Sequence, residues 1–477
     1  MTQSNAALIS WMHYNVYPES GIPKSYEVPQ DPREAKEFWS QIGSGDGVME
    51  RLIINDGLST YEAAVWQAAL VMAGGRDNFE AVDRYTDMLD SGSFGQMQEI
   101  RAWKTPYRYQ GRRLTKRDGF FFRFISPRYF QTDPLTGEVV KPGYPEFDNI
   151  HWVDWLPILG ENAWVIIGLL QTAYAKGQSK ADQDSKEVKL ALSLFPAIKA
   201  LRTKVGGVLF SPSGAWNKDP GVISTENNIS LYAALEMLYA VTKDPQYLEI
   251  ACGIKNFFKN HCFDKKDHKI YQGGIYKAGK FFPDKRKFAL DCQTWAILAL
   301  SPARIDGWYG PGEAYKIWKS AKKHAGYYED GRLCGVGFVD GHEIQSAEWT
   351  WGAIGAVNEL ALYYQKTRPD WAGECLADSL SMLKGLEKLK HTDKDGHQSY
   401  LYANKRYYIP WGWWANPIPN LVSTAWAYLI QNGYNPFKLG QKTRWSTLSG
   451  LQAAVKNIEV PLYKTNISQI SMQLVDR

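Results

Sequence analysis

The sequence is poor in the residues that mark several common kinds of functional site. It has eight His and five Cys among 477 residues, and no two Cys form a C-x-x-C pair. This odd, scattered set predicts reduced thiols rather than a disulfide framework or a zinc site. The sequence also contains no P-loop, no G-x-S-x-G nucleophile motif and no H-E-x-x-H. We therefore expect neither a metal ion nor a bound cofactor.

Long apolar runs are missing as well. No stretch approaches the eighteen or more apolar residues of a membrane span, so we expect no membrane insertion. The N-terminus lacks a basic region followed by an apolar run, which predicts no signal peptide. As written, the chain is then cytoplasmic, or else secreted or periplasmic with its leader removed. A net charge of +5 is too small to indicate a nucleic-acid partner, and nothing in the sequence predicts the oligomeric state.

Aromatic residues, in contrast, are abundant: 19 Trp, 28 Tyr and 19 Phe. Trp and Tyr combine an apolar face with a polar handle, which suits a groove that stacks sugar rings, although a large aromatic core would use them equally well. Residues 101–128 hold nine Lys or Arg and one acid. This basic segment belongs to a predicted β-rich insertion at about 100–148, and either binds a polyanion or forms the solvated face of a hairpin.

Apolar helical segments recur along the chain with a long period. Six of them are apolar on all sides, which is typical of helices covered on every side. They begin near residues 59, 161, 226, 289, 347 and 418. Six candidates with one charged face lie between or after them. These begin near Arg76, Asp184, Asp244, Gly312, Pro369 and Thr443.

This alternation predicts an all-α fold of the (α/α)6 toroid class, with six inner and six outer helices. The spacing agrees, since 65 residues separate Glu161 from Glu226 and another 65 separate Glu226 from Asp291. An open α-solenoid would show a tighter period and a consensus signature. We expect residues 1–477 to form a single catalytic toroid domain, with β-hairpins and loops inserted on one rim.

Polar residues gather where the inner helices begin. Antiparallel outer partners make all inner helices run the same way, so these ends meet at one rim. Acids in a first helical turn also complement the helix dipole, so capping explains any one of them. Capping does not require the accompanying amides and indoles. The set comprises the acids Glu161, Glu226, Asp291 and Glu348, the amides Asn162, Asn227, Asn228 and Gln293, and the indoles Trp164, Trp295, Trp349 and Trp351.

The six-hairpin layout and the acids at the helix mouths resemble the six-hairpin glycosidase superfamily of toroidal glycoside hydrolases. The resemblance covers about residues 40–435, and the segments ENN and SAEWTWGA look like active-site segments of bacterial endo-glucanase-type members. It implies a glycoside hydrolase that binds and cleaves a polysaccharide or oligosaccharide, with a β-glucan as the expected substrate.

Two carboxylates are needed for such chemistry, one as acid and one as base. We expect Glu226 as the general acid and Glu348 as the general base, with Glu161 and Asp291 as the next candidates. Neighbouring helices pack about 8–10 Å apart, so facing side chains leave room for a water, which favours inversion of the anomeric carbon.

Other functions stay open. A polysaccharide lyase or sugar epimerase acting on an acidic polysaccharide would use His151 or His342, which stand near inner-helix mouths. A non-catalytic carbohydrate-binding protein would place a single carboxylate in its cavity. The WGWW cluster provides either a sugar-stacking wall or a packed loop. Its Trp residues are Trp411, Trp413 and Trp414.

Overall fold

The structure, a computed structural model, describes most of the chain. The described residues are 3–42, 50–51, 53–55, 57–94, 108–109, 112–114, 118–125, 157–177, 184–212, 221–440 and 442–445. Helices dominate them. In chain order they are α1 (Gln3–Tyr14), α2 (Pro32–Ser40), α3 (Thr60–Ala73), α4 (Arg76–Phe94), α5 (Leu159–Lys176), α6 (Lys186–Leu192), α7 (Phe195–Ala200), α8 (Thr225–Thr242), α9 (Pro245–His261), α10 (Leu290–Leu300), α11 (Pro302–Tyr309), α12 (Glu313–Ala325), α13 (Ala347–Tyr364), α14 (Pro369–Leu386) and α15 (Leu421–Gln431).

Six of these helices close into an inner ring, as the sequence predicts. Helices α3, α5, α8, α10, α13 and α15 each contact the next, and α15 contacts α3. The backbones of α3 and α5 approach so closely that a Cβ on Gly168 would lie 2.7 Å from the Gln67 side chain. Small residues on these helices therefore allow the ring to close around a narrow centre.

Side-chain caps set the starts of four inner helices. The hydroxyls of Ser59, Ser224 and Ser346 accept backbone N–H groups three residues ahead, at 3.3–3.4 Å. Asn420 accepts the N–H of Ser423 in the same way, at 3.0 Å. Such caps are worth about 1 kcal/mol each. They fix where each helix begins, and hence where the acid that follows the cap is placed.

Amphipathic helices form the outer layer. Helices α4, α6, α9, α12 and α14 pack against α3, α5, α8, α10 and α13, which confirms five of the six outer helices predicted. The sixth, predicted near Thr443, falls from residue 446 onward outside the described residues. Helix α1 packs against α15 and α3 instead, and buries Leu8, Trp11 and Met12. The sequence pattern did not identify this N-terminal helix.

Short antiparallel strands decorate the rim where the inner helices begin. They are β1 (Leu58–Ser59), β2 (Arg108–Tyr109), β3 (Arg112–Arg113), β4 (Phe124–Ile125), β5 (Val222–Ser224), β6 (Phe263–Asp264), β7 (Lys269–Ile270), β8 (Gly273–Lys277), β9 (Lys280–Pro283), β10 (Gly326–Glu329), β11 (Arg332–Val336), β12 (Lys390–Thr392), β13 (Gln398–Leu401), β14 (Tyr407–Ile409), β15 (Trp413–Ala415) and β16 (Pro419–Asn420). Strands β1, β5 and β16 lead directly into α3, α8 and α15. The two sheets most relevant below are β5-β8-β9 and the hairpin β14-β15.

The opposite end of the ring is closed by the segment after α15. Phe437 packs against Trp164 and Trp295 at ring distances of 5.0 and 5.5 Å. Lys438 donates to the carbonyl of Ala299 at 2.9 Å, and Asn435 donates to the carbonyl of Leu298 at 3.0 Å. These contacts satisfy carbonyls at the C-terminal end of α10 and block the centre of the ring.

None of the helices in the described ranges is both long and apolar enough to cross a membrane.

Candidate active site

A cavity of about 370 Å³ opens at the rim where the inner helices begin. Its walls come from the first turns of α5, α8, α10 and α13, from β5 and β8, and from the hairpin β14-β15. Its lining includes four acids: Glu161, Glu226, Asp284 and Asp291. The convergence of helix mouths that the repeat predicts therefore produces a concave, acid-lined site.

Glu226 follows the Ser224 cap of α8 and is partly exposed to the cavity. One carboxylate oxygen accepts the hydroxyl of Ser230 at 2.7 Å, and the other accepts the side-chain amide of Asn227. Burial raises the pKa of Glu226 well above its ordinary value, and the negative charge of Asp291 adds to the effect. A carboxylic acid that keeps its proton near neutral pH is suited to act as a general acid.

Asp291 lies in the first turn of α10 and lines the same cavity. Its Oδ1 accepts the backbone N–H of Cys292 at 2.6 Å, and this bond favours the ionised form. Burial nonetheless raises the pKa of Asp291. The negative charge of Asp291 also helps to raise the pKa of Glu226, so the two carboxyl groups titrate as a coupled pair rather than independently.

Glu348 lies deeper, below the cavity lining, with 4% of its surface exposed. Its Oε1 accepts the hydroxyl of Tyr61 at 2.5 Å, and that hydroxyl accepts the indole N–H of Trp426 at 2.9 Å. Burial raises the pKa of Glu348 to about 8, and the bond from Tyr61 opposes the shift. Glu348 therefore belongs to the acid cluster but is held by α3 and α15 rather than displayed at the cavity surface.

A further acid, Glu62, completes this buried cluster from the first turn of α3. Its Oε1 accepts the side-chain amide of Asn420 at 3.2 Å. Burial raises the pKa of Glu62 to about 7. Nearby acids thus come from the first turns of five of the six inner helices, α3, α5, α8, α10 and α13.

The cations that line the cavity are matched by acids. Arg123 lies 3.0 Å from Glu161, and its guanidinium lies 4.4 Å from the ring centre of Trp413. Lys287 lies 3.6 Å from Asp284. Arg123 thereby ties the basic segment 101–128 to α5 and to β15, so this part of the segment builds a cavity wall.

Three Trp form an aromatic side of the cavity. Trp349 and Trp411 stack with ring centres 5.7 Å apart, and Trp413 lies 6.4 Å from Trp411. All three line the cavity. Trp414 points elsewhere, since the guanidinium of Arg406 covers its ring at 4.1 Å and Trp414 is not among the lining residues.

Three of the predicted substrate-binding amides are instead structural. Asn162, Asn228 and Gln293 each accept one backbone N–H from a neighbouring segment and donate back to the same residue's carbonyl. The residues they bracket are Phe121, Val208 and Ile270, at 2.7–3.0 Å. Each also donates to the carbonyl four residues earlier. Both amide hydrogens are used in every case, so none remains for a sugar hydroxyl. Only Asn227, of the four predicted amides, lines the cavity.

Three predicted indoles also belong to the core rather than to the cavity. Trp164 and Trp295 pack beneath it at 5.4 Å from each other, together with Trp426. Trp351 packs edge-on against Tyr400 at 5.5 Å. These three indoles face the interior of the ring. The distance of a residue from the start of its helix does not predict whether it faces the interior or the cavity.

The two predicted His residues are not placed in the cavity by the described part of the chain. His342 is exposed, and its Nδ1 lies 2.6 Å from the carbonyl oxygen of Gly326 on β10. His151 lies outside the described residues.

Several cavity residues were not identified from the sequence. Arg123 sits within a basic segment that gave no sign of which cation faces inward. Asp284 and Lys287 come from the loop after β9, and Cys292 follows Asp291 on α10. Tyr61, which binds Glu348 below the cavity, had a usable signal, since it stands in the first turn of an inner helix beside Glu62.

No family model matches the chain, and no curated protein matches it in sequence. Solved structures do match. A cellobiose 2-epimerase from Bacillus thermoamylovorans is 11% identical over 89% of this chain and 95% of its own, with a TM-score of 0.55. A D-mannose isomerase is 12% identical over 90% and 95%, with a TM-score of 0.55. A GH76A alpha-1,6-mannanase from a Salegentibacter species is 12% identical over 90% and 97%, with a TM-score of 0.50.

At such identities the likeness is one of fold. The predicted all-α (α/α)6 toroid is thereby confirmed.

Proposed function

We propose that the protein is a glycoside hydrolase that cleaves a bond between neutral sugar units by acid and base catalysis. The observation that carries this proposal is the pair of cavity-lining carboxyl groups, Glu226 and Asp291, whose pKa values are both raised by burial. Hydrolysis of a glycosidic bond needs one carboxylic acid and one carboxylate on either side of the bond. Two carboxyl groups in one cavity favour this proposal over a non-catalytic sugar-binding protein, for which we expect a single carboxylate.

Glu226 is the proposed general acid. It donates its proton to the glycosidic oxygen as the bond to the anomeric carbon breaks. Asp291 is the proposed general base, because the N–H of Cys292 and the start of α10 both favour its anion. It accepts a proton from the water that attacks the anomeric carbon. The water's hydroxyl remains on the sugar, and the two carboxyl groups exchange protons with solvent before the next turnover.

Glu348, expected from the sequence as the base, takes a different part here. Its bond to Tyr61 and its depth place it behind the reacting groups. Glu348 is coupled to the reacting groups electrostatically, because a negative charge on Asp291 or Glu226 disfavours ionisation of Glu348. Glu161 holds Arg123 and so shapes the wall rather than moving a proton.

A neutral sugar fits the cavity better than a uronate. A lyase or a uronate epimerase needs a positive group to neutralise the substrate carboxylate. Among the described lining residues, Arg123 and Lys287 each face an acid of the cavity already. An acidic sugar would also meet the acid cluster itself. The stacked pair Trp349 and Trp411 suits the flat apolar face of a neutral ring.

A sugar epimerase or isomerase is the second candidate. Structures of this kind share the fold with TM-scores of 0.54–0.55, compared with 0.50 for the mannanase. Moving a proton beside a carbonyl needs a base whose pKa is near neutrality, and a carboxylate with a raised pKa meets that need. The two functions differ in product, because only hydrolysis creates a new reducing end.

The test is a reducing-end assay on β-glucans, alpha-1,6-mannan and a uronate polymer, with product composition read by chromatography. The variants are Glu226→Gln and Asp291→Asn, and the control is Glu249→Gln, whose side chain is 67% exposed on α9. We expect wild type to cleave a neutral polymer, and each cavity variant to lose activity by about a hundredfold or more. The control should retain wild-type activity. Proton NMR of the first product should show the inverted anomer expected from the ring geometry.

Three outcomes would contradict the proposal. Conversion of cellobiose or mannose without new reducing ends would assign the protein to the epimerases and isomerases. An unsaturated product from the uronate polymer would assign it to the lyases. Full activity of both folded cavity variants would show that these two acids are structural.

A further inference from the structure

The cavity wall formed by β8 continues outward as an exposed face of the sheet β5-β8-β9. Strands β8 and β9 pair antiparallel, with Ile275 opposite Phe282 and Lys277 opposite Lys280. Residues directly opposite in such a pair point to the same face, and so do residues two apart on one strand. Ile275, Lys277, Lys280 and Phe282 therefore share one face of the hairpin.

That face is the cavity side. Ile275 lines the cavity, as does Val222, its cross-strand partner on β5. The other face of the hairpin packs inward, where Phe281 lies 9% exposed against Phe257 of α9 at 4.9 Å. An apolar stripe thus runs from Val222 across Ile275 to Phe282, from the inside of the cavity to the outside of the rim.

Phe282 is unusual for an aromatic residue in this protein. It is 56% exposed, while Phe281 beside it is buried. Phe282 is continuous with the partly exposed Ile275 and Val222, and contiguous exposed apolar surface marks binding sites whereas single exposed apolar residues do not. An aromatic ring at the end of an apolar stripe offers a stacking surface for one more sugar unit.

Lys277 and Lys280 place two positive charges side by side at the same edge. They flank a tight two-residue turn, in which Ala278 and Gly279 have φ of 50° and 80°. Like charges directly opposite each other on paired strands are destabilising. Both side chains are exposed, and neither forms an ion pair with any carboxylate within the described ranges. A negatively charged ligand bound between them would relieve this repulsion.

We propose that the outer face of the β8-β9 hairpin, formed by Lys277, Lys280 and Phe282, binds a negatively charged sugar unit of the chain whose neutral unit occupies the cavity. This proposal rests on the carbohydrate-cleaving function proposed above and names its substrate class. The charge pattern supports it, because acids line the cavity whereas the hairpin edge is basic. The substrate is then a mixed chain, neutral at the bond to be cleaved and acidic one or more units away.

Binding can be measured without turnover, in an inactive Glu226→Gln background. Affinity electrophoresis would use carboxymethyl cellulose and carboxymethyl dextran as charged probes, with hydroxyethyl cellulose and dextran as neutral ones. The variants are Lys277→Ser with Lys280→Ser, and separately Phe282→Ala. The control is the double variant Lys366→Ser and Lys384→Ser. It removes two exposed positive charges, one just after α13 and one on α14, and so matches the change in net charge.

We expect the charged probes to retard the protein and the hairpin lysine variant to raise the apparent dissociation constant by about tenfold. Phe282→Ala should weaken binding of charged and neutral probes alike, and the control should match the background within about twofold. Equal losses in the control and the hairpin lysine variant would show a general charge effect and overturn the proposal. The proposal would also be overturned if both hairpin variants were retarded as strongly as the protein without the hairpin substitutions. Failure of the hydrolase assay would leave these binding results unaffected, so the two proposals fail separately.

Discussion

The two ends of the inner ring are built from the same six helices but have opposite character. At the N-terminal end, Glu62, Glu226, Asp291 and Glu348 come together around an open cavity. At the C-terminal end, Lys438 and Asn435 bind helix carbonyls and Phe437 fills the centre. One end holds acids that resist ionisation, and the other end is sealed by donors and an aromatic ring.

Helix dipoles explain why acids lie at the N-terminal end and hydrogen-bond donors at the C-terminal end. They do not explain why the acids keep their protons. An N-terminal helix end favours an anion by about 0.3–1 kcal/mol. Burial opposes it, and the pKa of about 8 for Glu348, against an ordinary value of 4.5, corresponds to about 5 kcal/mol. Desolvation therefore wins at this rim. At the N-terminal end, burial rather than the helix dipole therefore decides whether an acid such as Glu348 keeps its proton.

The largest expected effect comes from reopening the sealed end. Phe437→Ala removes a buried ring that touches three Trp, and it should lower the free energy of unfolding by about 3–5 kcal/mol. Denaturant unfolding would measure the loss. Phe282→Ala is the matched control, since that ring is 56% exposed and its removal should change stability by about 0.5 kcal/mol or less. Equal effects of the two variants would mean that Phe437 does not seal the ring.

The next effect concerns the acids at the open end. A carboxyl group with a raised folded-state pKa binds its proton more tightly when folded, so stability falls as pH rises from about 4.5 to about 8. We expect Glu348→Gln to reduce this fall by up to about 1.4 kcal/mol per pH unit. Unfolding at pH 5.5, 6.5 and 7.5 would measure the slope.

Glu374→Gln provides the control for that slope. Lys322 and Tyr315 lower the pKa of Glu374 to about 2, so its contribution is present throughout this range and is lost only below about pH 4.5. The control should therefore keep the wild-type slope. An unchanged slope in Glu348→Gln would show that Glu348 is ionised in the folded protein.

The smallest expected effect is a difference between the variants of Asn227 and Asn228, two adjacent amides at the open end. Asn228→Ala leaves the N–H and carbonyl of Val208 without partners, which should lower stability by about 2 kcal/mol. Asn227 faces the cavity and donates to Glu226, so Asn227→Ala should lower the rate of cleavage of a neutral polymer. Its loss of stability should be smaller than that of Asn228→Ala, because it leaves only one backbone group, the N–H of Gly160, without its side-chain partner. Unfolding curves and the reducing-end assay, run on both variants, would test this division. The reverse pattern would place Asn228 in the substrate site.

Much of the fold was accessible from the sequence. The inner helices show as apolar segments because they are covered on all sides, and five outer helices show as amphipathic stripes because one side faces solvent. Helix α1 escaped detection because its sequence lacks a clear stripe, although its partners bury Trp11 and Met12 completely. Helix α1 packs against both α3 and α15, and these two helices come together only when the ring closes.

The site was accessible only in part. The positions of Glu226 and Asp291 follow from the starts of α8 and α10, so a repeat of helix mouths was enough to suggest them. The same rule also selected Asn162, Asn228 and Gln293, because a structural amide and a sugar-binding amide look alike in sequence. Whether such an amide hydrogen-bonds the backbone of another segment depends on residues that are distant along the chain.

The sequence by itself determined the periodic alternation of helices, and with it the rim at which the acids gather. These features are local, since the spacing of buried residues along a helix and the capping of its start both depend on residues a few positions apart. Only the tertiary structure decided that Asp291 lines the cavity while Glu348 lies behind Tyr61, and that Phe282 is exposed while Phe281 is buried. These distinctions depend on solvent exposure and charge at distances of a few ångströms between distant segments, and such distances are fixed only when the ring closes.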